Sequence, residues 1–496
     1  MLRPEFDEFV QLAARAPLVA VSRDFLFDAD TAVTAYAKLA RPPFGFLLES
    51  VVGGETWARY TFLGSAPREA WRLQDGRVSR WTPDAGWNDG EPVDDPLGAL
   101  DRLVSERAVA APDGLPRFIG GAVGYLGYDV VRLIERLPTP PPDTLGLPDA
   151  LFMLTDTVLA IDNVYGRAHA IATVDVADTH SQAELRRRYD EALARLDDVV
   201  QRLARGPAVP PLDFEPAPAE PHFESNTTRD RFEDNVRRIK EYIAAGDAFQ
   251  VVLSQRLAVP LEAPPFDVYR ALRSLNPSPY LYFLELDGLS VIGSSPEVLV
   301  RVEDRNITVR PIAGTRPRGV DQADDEALIR DLLADEKERA EHLMLVDLGR
   351  NDVGRVAEYG SVQVSELMGT ERYSHVLHIV SQVDGRLRDG LSAMDAFRAA
   401  FPAGTVSGAP KIRAMEIIDE LESTRRGPYA GAVGYIGYGG HTLDTAIAIR
   451  TILAHHGRAY VQVGAGIVAD SDPAREYDET LAKARALLRV LGLTAR

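Results

Sequence analysis

The chain of 496 residues contains no cysteine. That absence excludes disulfides, thiolate metal sites, iron–sulfur clusters and a cysteine nucleophile. Positive charge is in deficit: 55 Lys and Arg stand against 74 Asp and Glu, for a formal net charge of −19. Such a surface repels nucleic acid and anionic membrane, so neither is an expected partner. An anionic substrate would need positive charge supplied locally. No apolar run approaches the length of a membrane span, and the acidic start MLRPEFDEFVQLAARAP lacks the apolar core of a signal peptide. The expectation is a soluble, cytoplasmic protein. With 45% hydrophobic residues, the chain can bury a large core.

Residues 181–205 carry apolar positions at helical spacing. The segment AVPPLDFEPAPAEPHF that follows is rich in proline and acid and has no apolar period, so it reads as a linker. This divides the chain into an N-terminal region 1–207, a linker 208–222 and a C-terminal region 223–496. The C-terminal region predicts a helix at 228–245 closed by Gly246, then a strand in FQVVLSQRLAV. After a short helix come strands in YLYFLEL, LSVIGSS, EVLVRVED and NITVRPIAG, with a tight turn at Asp287-Gly288. Two helices, or one long one, span 323–350. Strands VSELMGTERY and HVLHIVSQVDG follow, then helices at 393–400 and 409–422. Strands AGAVGYIGY, LDTAIAIRTILA and RAYVQVGAGIVA lead to a last helix from 473. Strands in hairpin-spaced blocks favour an α+β fold with antiparallel sheet. One near-repeat, GAVGYLGYD at 121–129 and GAVGYIGYG at 431–439, reads as two closely packing glycine-punctuated strands, because no fixed period surrounds it.

GAGIVA at 464–469 matches a dinucleotide fingerprint, but that pattern needs a helix starting at the glycines and an acid about 20 residues on. Here strand continues through Ile467 and Val468, and the next helix starts at Pro473 behind Asp472 as its cap. Two glutamate pairs are more informative: Glu338 with Glu341, and Glu476 with Glu479, each on its own predicted helix. Residues three apart share a helix face. One such pair is commonly a solvated face or a cap, as Glu338 could be to Asp335. Two facing pairs would gather four like charges, which a hard cation resolves; Mg²⁺ takes such oxygen ligands and keeps room for an anionic substrate group.

The segments DEKERAEHLMLVDLGRND, RPIAGTRPRG, IGSSPE, FPAGTVSGAPK, LDTAIAIR and VGAGIVADSDPAREYDET resemble the signature segments of the chorismate-utilising enzymes. The resemblance covers 225–492, and LLES and GGAVGYLGYD extend it into the N-terminal region, toward the branch that aminates chorismate on the way to tryptophan. It implies two packed antiparallel β-sheets flanked by helices. It also implies Mg²⁺, held directly by Glu341 and Glu479 and through water by Glu338 and Glu476, and in turn holding the ring carboxylate of chorismate. Arg450, on a predicted strand, would fork onto the enolpyruvyl carboxylate. Gly464, Ala465 and Gly466 would bring backbone N–H groups to the same anion. Gly314, Thr315, Thr405 and Tyr429 match substrate-contacting positions, with Lys411 a weaker candidate.

Two positions choose the branch. Relatives that add water at ring C2 carry a lysine base where this chain has Gln250, and an amide cannot deprotonate water near neutrality. Ammonia needs no such base. Many relatives that aminate at C4 carry a lysine where this chain has Ala313. The resemblance therefore implies conversion of chorismate and ammonia to anthranilate and pyruvate, with Glu297 as general acid and His378 as a proton shuttle in the second step. The alternatives are a 4-amino-4-deoxychorismate synthase and an amino-acid-sensing subunit without chemistry, which would have lost Glu297 and the glutamates. With no cysteine the chain cannot use glutamine itself, so a separate glutamine amidotransferase is the implied partner, in a hetero-oligomer of heterotetramer type. LLES and NPSPYLYF resemble the segments that bind inhibitory L-tryptophan, which places Glu49, Ser50, Pro279, Tyr280 and Leu281 around that ligand.

Overall fold

The computed structural model describes all residues except 51–58, 138, 180, 206–208, 214–219, 373–375 and 495–496. Among the described residues the strands form one sheet of 14 and one of 13. All pairings are antiparallel except a two-residue parallel contact between Leu18–Leu26 and Val109–Ala110. The sheets face each other across a layer that includes Phe46, Phe62, Phe118, Tyr125, Met153, Tyr282, Val433 and Tyr435. Helices cover the outer faces. Gln182–Arg205 and Pro473–Thr494 pack on the larger sheet. Glu336–Gly354 and Ala393–Ala400 pack on the smaller one. The α+β reading with two packed antiparallel sheets and flanking helices is therefore correct.

Both sheets contain strands from both sequence regions. In the larger sheet the seam is Phe44–Glu49 against Tyr280–Leu286. In the smaller it is Gly121–Leu126 against Ala432–Gly437. The second seam joins the two near-repeats, with Gly124 opposite Gly434. A Cβ on Gly124 would lie 2.0 Å from the Leu151 carbonyl oxygen, and one on Gly434 2.0 Å from that of Asp444. Only glycine fits at either position.

The near-repeat is more than two strands that happen to pack. Each half of the chain follows the same path. Tyr60–Ser65 and Leu289–Ser295 lie in the larger sheet, and the chain then crosses to Glu69–Gln74 and Val298–Glu303 in the smaller. Later, Ala150–Thr155 and Leu443–Ile447 lie in the smaller sheet and cross back to Thr157–Asp162 and Thr451–His455. Each half ends on a long strand, Arg167–Asp175 or Arg458–Ile467, and the long helix that covers it. The duplication is one of backbone path, and it leaves no period in the sequence.

Two boundaries differ from the sequence reading. NITVRPIAG divides at Arg310-Pro311 into Asn306–Val309 and Ile312–Pro317, since proline brings no N–H to a ladder. LDTAIAIRTILA also divides, into Leu443–Ile447 and Thr451–His455, so Arg450 is not on a strand. It takes a left-handed backbone, φ 51°, where the chain passes from one sheet to the other. The 323–350 region is two helices, Gln322–Ala334 and Glu336–Gly354. Part of the proline-rich segment lies outside the described residues.

Candidate active site

The site begins at two neighbouring crossings between the sheets. Pro296 and Glu297 bridge Leu289–Ser295 to Val298–Glu303, and Ala448 to Arg450 bridge Leu443–Ile447 to Thr451–His455. The crossings are tied together: the Ile447 N–H donates to the Glu297 carbonyl at 3.0 Å, and the Ser294 N–H donates to the Arg450 carbonyl at 3.1 Å. Corners where strands change sheets free side chains from ladder packing. Here they turn a carboxyl and a guanidinium toward one space.

Thr405, in the turn Gly404–Val406, donates its hydroxyl to Glu297 Oε2 at 2.9 Å. Burial pushes the Glu297 carboxyl up to about 6, against the opposing Thr405 hydrogen bond and the Lys483 and Arg450 charges. Arg450 donates to the Lys483 carbonyl at 3.2 Å. Burial holds its guanidinium below the usual range, with Glu297 the main charge opposing that shift. Among the described residues Arg450 has no ion-pair partner. A half-buried cation left in this way favours an anionic ligand.

Tyr429 closes one side, its hydroxyl raised to about 12 by burial. A Cβ on Gly464 would stand 2.7 Å from that hydroxyl, and one on Gly466 2.6 Å from Gln250 Nε2. These glycines thus make room for the Tyr429 and Gln250 side chains, a more local reason than close approach to an anion. Ala465, between them, is fully buried against the helices Arg229–Ala244 and Lys411–Leu421. Gln250 is buried, and its Oε1 has no hydrogen-bond partner.

Gly314 sits at a bulge with φ 71°. Its carbonyl lies 2.9 Å from His378 Nδ1, and Thr315 Oγ1 lies 3.2 Å from the same nitrogen. A carbonyl only accepts, so Nδ1 carries the proton and Nε2 is the basic nitrogen. Burial lowers the His378 pKa, so the ring is neutral near pH 7. Lys411 is drawn elsewhere: its ammonium binds Asp352 at 2.8 Å and the Ala400 carbonyl at 3.0 Å.

The two glutamate helices lie within electrostatic reach of each other. Glu341 is pushed up by burial first and then by the like charges of Glu338 and Glu479. Glu476 is pushed up by burial and Glu479, while Lys337 on the opposite helix lowers it. Glu338 lies over Gly314, its Oε2 3.2 Å from where a Cβ would be, and Asp335 caps the helix by accepting from the Lys337 and Glu338 N–H groups. Among the described residues no three His, Asp or Glu side chains stand close enough to hold a metal ion unaided. The like charges that help raise Glu341 and Glu476 are ones that a hard divalent cation, completed by water, would relieve.

Lys483 was not foreseen. Its ammonium bridges Glu479 Oε1 at 2.7 Å and the Gly464 carbonyl at 3.0 Å. Its position, four and seven residues after Glu479 and Glu476, puts it on their helix face, and that spacing was the available signal.

At the larger-sheet seam a second cavity, with about 540 Å³ of empty space partly open to solvent, is lined by Glu49, Ser50, Pro279, Tyr280 and Leu281. The structure thus collects all five residues assigned to the inhibitor. Glu49 already accepts from Tyr269 Oη at 2.5 Å and from Arg273 at 2.8 and 3.1 Å. Arg117 and Asp444, missed in the sequence, join the lining and pair with each other at 3.1 Å.

These features define an enzyme of the chorismate-binding class. The model of the chorismate binding enzyme family matches residues 58–489, and the chain belongs to that family. The chain is 52% identical to "Anthranilate synthase component 1" of Pseudomonas aeruginosa, over 98% of each chain. It is 48% identical to the protein of the same name from Thermus thermophilus, over 95% of this chain and 97% of the other. The crystal structure of anthranilate synthase component I from Streptococcus pneumoniae superposes with a TM-score of 0.76 at 39% identity, covering 94% of this chain and 99% of that one. The isochorismate synthase MenF of Escherichia coli, 17% identical with a TM-score of 0.71, shares the fold.

A group that donates a proton is active below its pKa. With Glu297 as acid, kcat/KM for chorismate should therefore fall with unit slope above about pH 6. Glu297→Gln should remove that limb and reduce kcat by about 10²-fold or more. A full pH–rate profile of both proteins checks this.

Proposed function

We propose that the chain is the aminating component of an anthranilate synthase. It would convert chorismate and ammonia to anthranilate, pyruvate and water, the first step of tryptophan biosynthesis. The observation that carries this reading is the half-buried Arg450, without an ion-pair partner among the described residues, beside a Glu297 carboxyl raised by burial. An enolpyruvyl carboxylate would supply the missing charge, and the acid would stand beside the C4 hydroxyl it protonates.

Glu341 and Glu479, backed by Glu338 and Glu476, would hold Mg²⁺. When bound, that ion supplies positive charge for the ring carboxylate of an acidic protein's dianionic substrate. Arg450 and Lys483 add the protein's own cations. Glu297 gives its proton to the C4 hydroxyl, which leaves as water. Ammonia adds at C2, and its nitrogen then loses one proton. Gln250, a neutral amide, deprotonates no water there, which favours amination over hydration. Ala313 offers no nucleophile at C2, which argues against the 4-amino-4-deoxychorismate branch. In the second step the C2 proton leaves, the C3–O bond breaks, and the enolpyruvyl methylene is protonated to give pyruvate. His378, its Nδ1 held by the Gly314 carbonyl, has Nε2 as the base for that transfer.

The component naming of its relatives supports a partner subunit. We assign to it the hydrolysis of glutamine, which this cysteine-free chain does not perform. The seam cavity is assigned to L-tryptophan. Asp444 in its wall lies three residues before Ile447, whose N–H holds the Glu297 carbonyl. Strand Leu443–Ile447 thus runs from inhibitor to acid, and each ligand should weaken the other's binding.

Three outcomes are expected. The purified chain with chorismate, Mg²⁺ and ammonium should yield fluorescent anthranilate, and with glutamine in place of ammonium should yield almost none; a 4-amino product or isochorismate would refute the assignment. Glu341→Gln should raise the Mg²⁺ concentration for half-maximal activity by about 10-fold or more while leaving far-UV circular dichroism unchanged. Ser50→Phe, by filling the cavity, should keep ammonia-dependent turnover while abolishing inhibition by L-tryptophan, read from inhibition curves of both proteins.

A further inference from the structure

A buried ion pair that the chemistry above leaves unused lies behind the candidate site. The Arg426 and Glu422 side chains are 1% and 4% exposed. Arg426 forks onto the carboxylate, Nε to Oε2 at 2.9 Å and Nη2 to Oε1 at 2.6 Å. It also donates from Nη1 to the Val406 carbonyl at 2.7 Å and from Nη2 to the Val252 carbonyl at 2.8 Å. Its guanidinium lies over the rings of Tyr128 at 4.6 Å and Tyr429 at 5.6 Å. Glu422 in turn accepts from the Ser254 N–H and hydroxyl, both at 2.8 Å.

These contacts converge on substrate-side groups. Val406 follows Thr405, whose hydroxyl holds Glu297. The Val252 N–H donates to the Ser407 carbonyl at 2.9 Å, so the turn and the strand carrying Gln250 are clamped twice. Ser254 stands opposite Gly464 in the strand pair Gln250–Pro260 with Arg458–Ile467. Burying two charges costs about as much as their attraction returns, and well-packed apolar side chains often replace such a pair at no loss of stability. What apolar side chains lack is the means to fix four neighbouring polar groups at hydrogen-bond distance.

We propose that Arg426, with Glu422, is a positioning residue for proton donation by Glu297: it sets the Gly404–Val406 turn so that the Thr405 hydroxyl holds the acid. The inference rests on the proposed function for its kinetic consequence, and on geometry alone for its effect on the resting protein. The groups facing Glu297 are Thr405, Lys483, Arg450 and Tyr429. Of these, Arg426 reaches Thr405 through the Val406 carbonyl and Tyr429 through its ring. A hydrogen bond donated by Thr405 stabilises the carboxylate, so loosening it raises the acid's pKa.

The test uses Arg426→Lys, which keeps the charge and loses the fork, and Glu422→Gln, which keeps the shape and loses the charge. Isotope-edited infrared titration of the resting protein, with Glu297→Gln as the blank, reads the Glu297 carboxyl directly. The wild type should titrate at about 6, and both variants about half a unit higher. kcat should fall about 10-fold or more, with KM for chorismate within about 2-fold. In a Thr405→Val background, Arg426→Lys should cost less than about 2-fold, since its route is already cut. An unchanged infrared titration would overturn the proposal. So would a full additive loss in the Thr405→Val background, or lowered unfolding midpoints with unaltered kcat per folded molecule. Failure of the wild type to turn over chorismate would instead overturn the proposed function, and the infrared titration would still decide this inference.

Discussion

The candidate site depends on one constraint: the chain must pass between two facing sheets, and it does so twice at adjacent places. A strand that leaves one sheet for another gives up its ladder partners for a few residues. At 296–297 and 448–450 those residues are tied to each other instead, through the Ile447 N–H on the Glu297 carbonyl and the Ser294 N–H on the Arg450 carbonyl. The side chains that result are a carboxyl and a guanidinium held by backbone, in a place that neither sheet's packing fills. Their charges are set by rigid elements on both sides, and the left-handed Arg450 backbone is the local cost of that turn.

Electrostatics then explains how a chain of net charge −19 serves an anionic substrate. In the proposed site the positive charge comes from Arg450 and Lys483 among the described residues, with Lys483 already paired to Glu479. Each of Glu297, Glu341 and Glu476 is shifted upward, in every case with burial as the largest cause. Under the proposed function, the same burial would make one carboxyl a usable acid and leave the others with a deficit that a cation would relieve.

Much of this was legible in the sequence, for identifiable reasons. The helix Gln182–Arg205 and the turn at Asp287-Gly288 follow from local rules of spacing and backbone freedom, and the structure has both. The glutamate pairs could be placed on helix faces, but whether the faces meet is a tertiary fact. The strand containing Arg450 was misjudged because AIAIRTILA is apolar on both sides of Arg450 and Thr451, and hydrophobic pattern carries no signal for a change of sheet. Lys411 reads as a solvated helix lysine, yet it is drawn inward by Asp352 from a helix distant in sequence. Arg426 sits in a short polar loop, TRRGPY, that gives no hint of a fully buried side chain.

The duplicated path explains why only one half carries the site. The N-terminal half makes the same crossings, near Ala66 to Arg68 and at Asp156, and it too has a left-handed residue there, Ala66 at φ 52°. Its charges, however, answer one another. Arg68 lies 3.2 Å from Glu69 and 3.7 Å from Asp156, Arg107 reaches Glu69 at 3.1 Å, and the Tyr438 hydroxyl donates to Asp156 at 2.7 Å. That corner is neutralised by its own side chains and leaves no charge for a ligand to complete. In the C-terminal half the acid and the arginine stand near each other without an ion pair between them, while Arg426 and Glu422 pair with each other one layer behind. A shared backbone corner thus becomes either a structural ion cluster or a binding site, according to whether its charges are spent on each other or held apart.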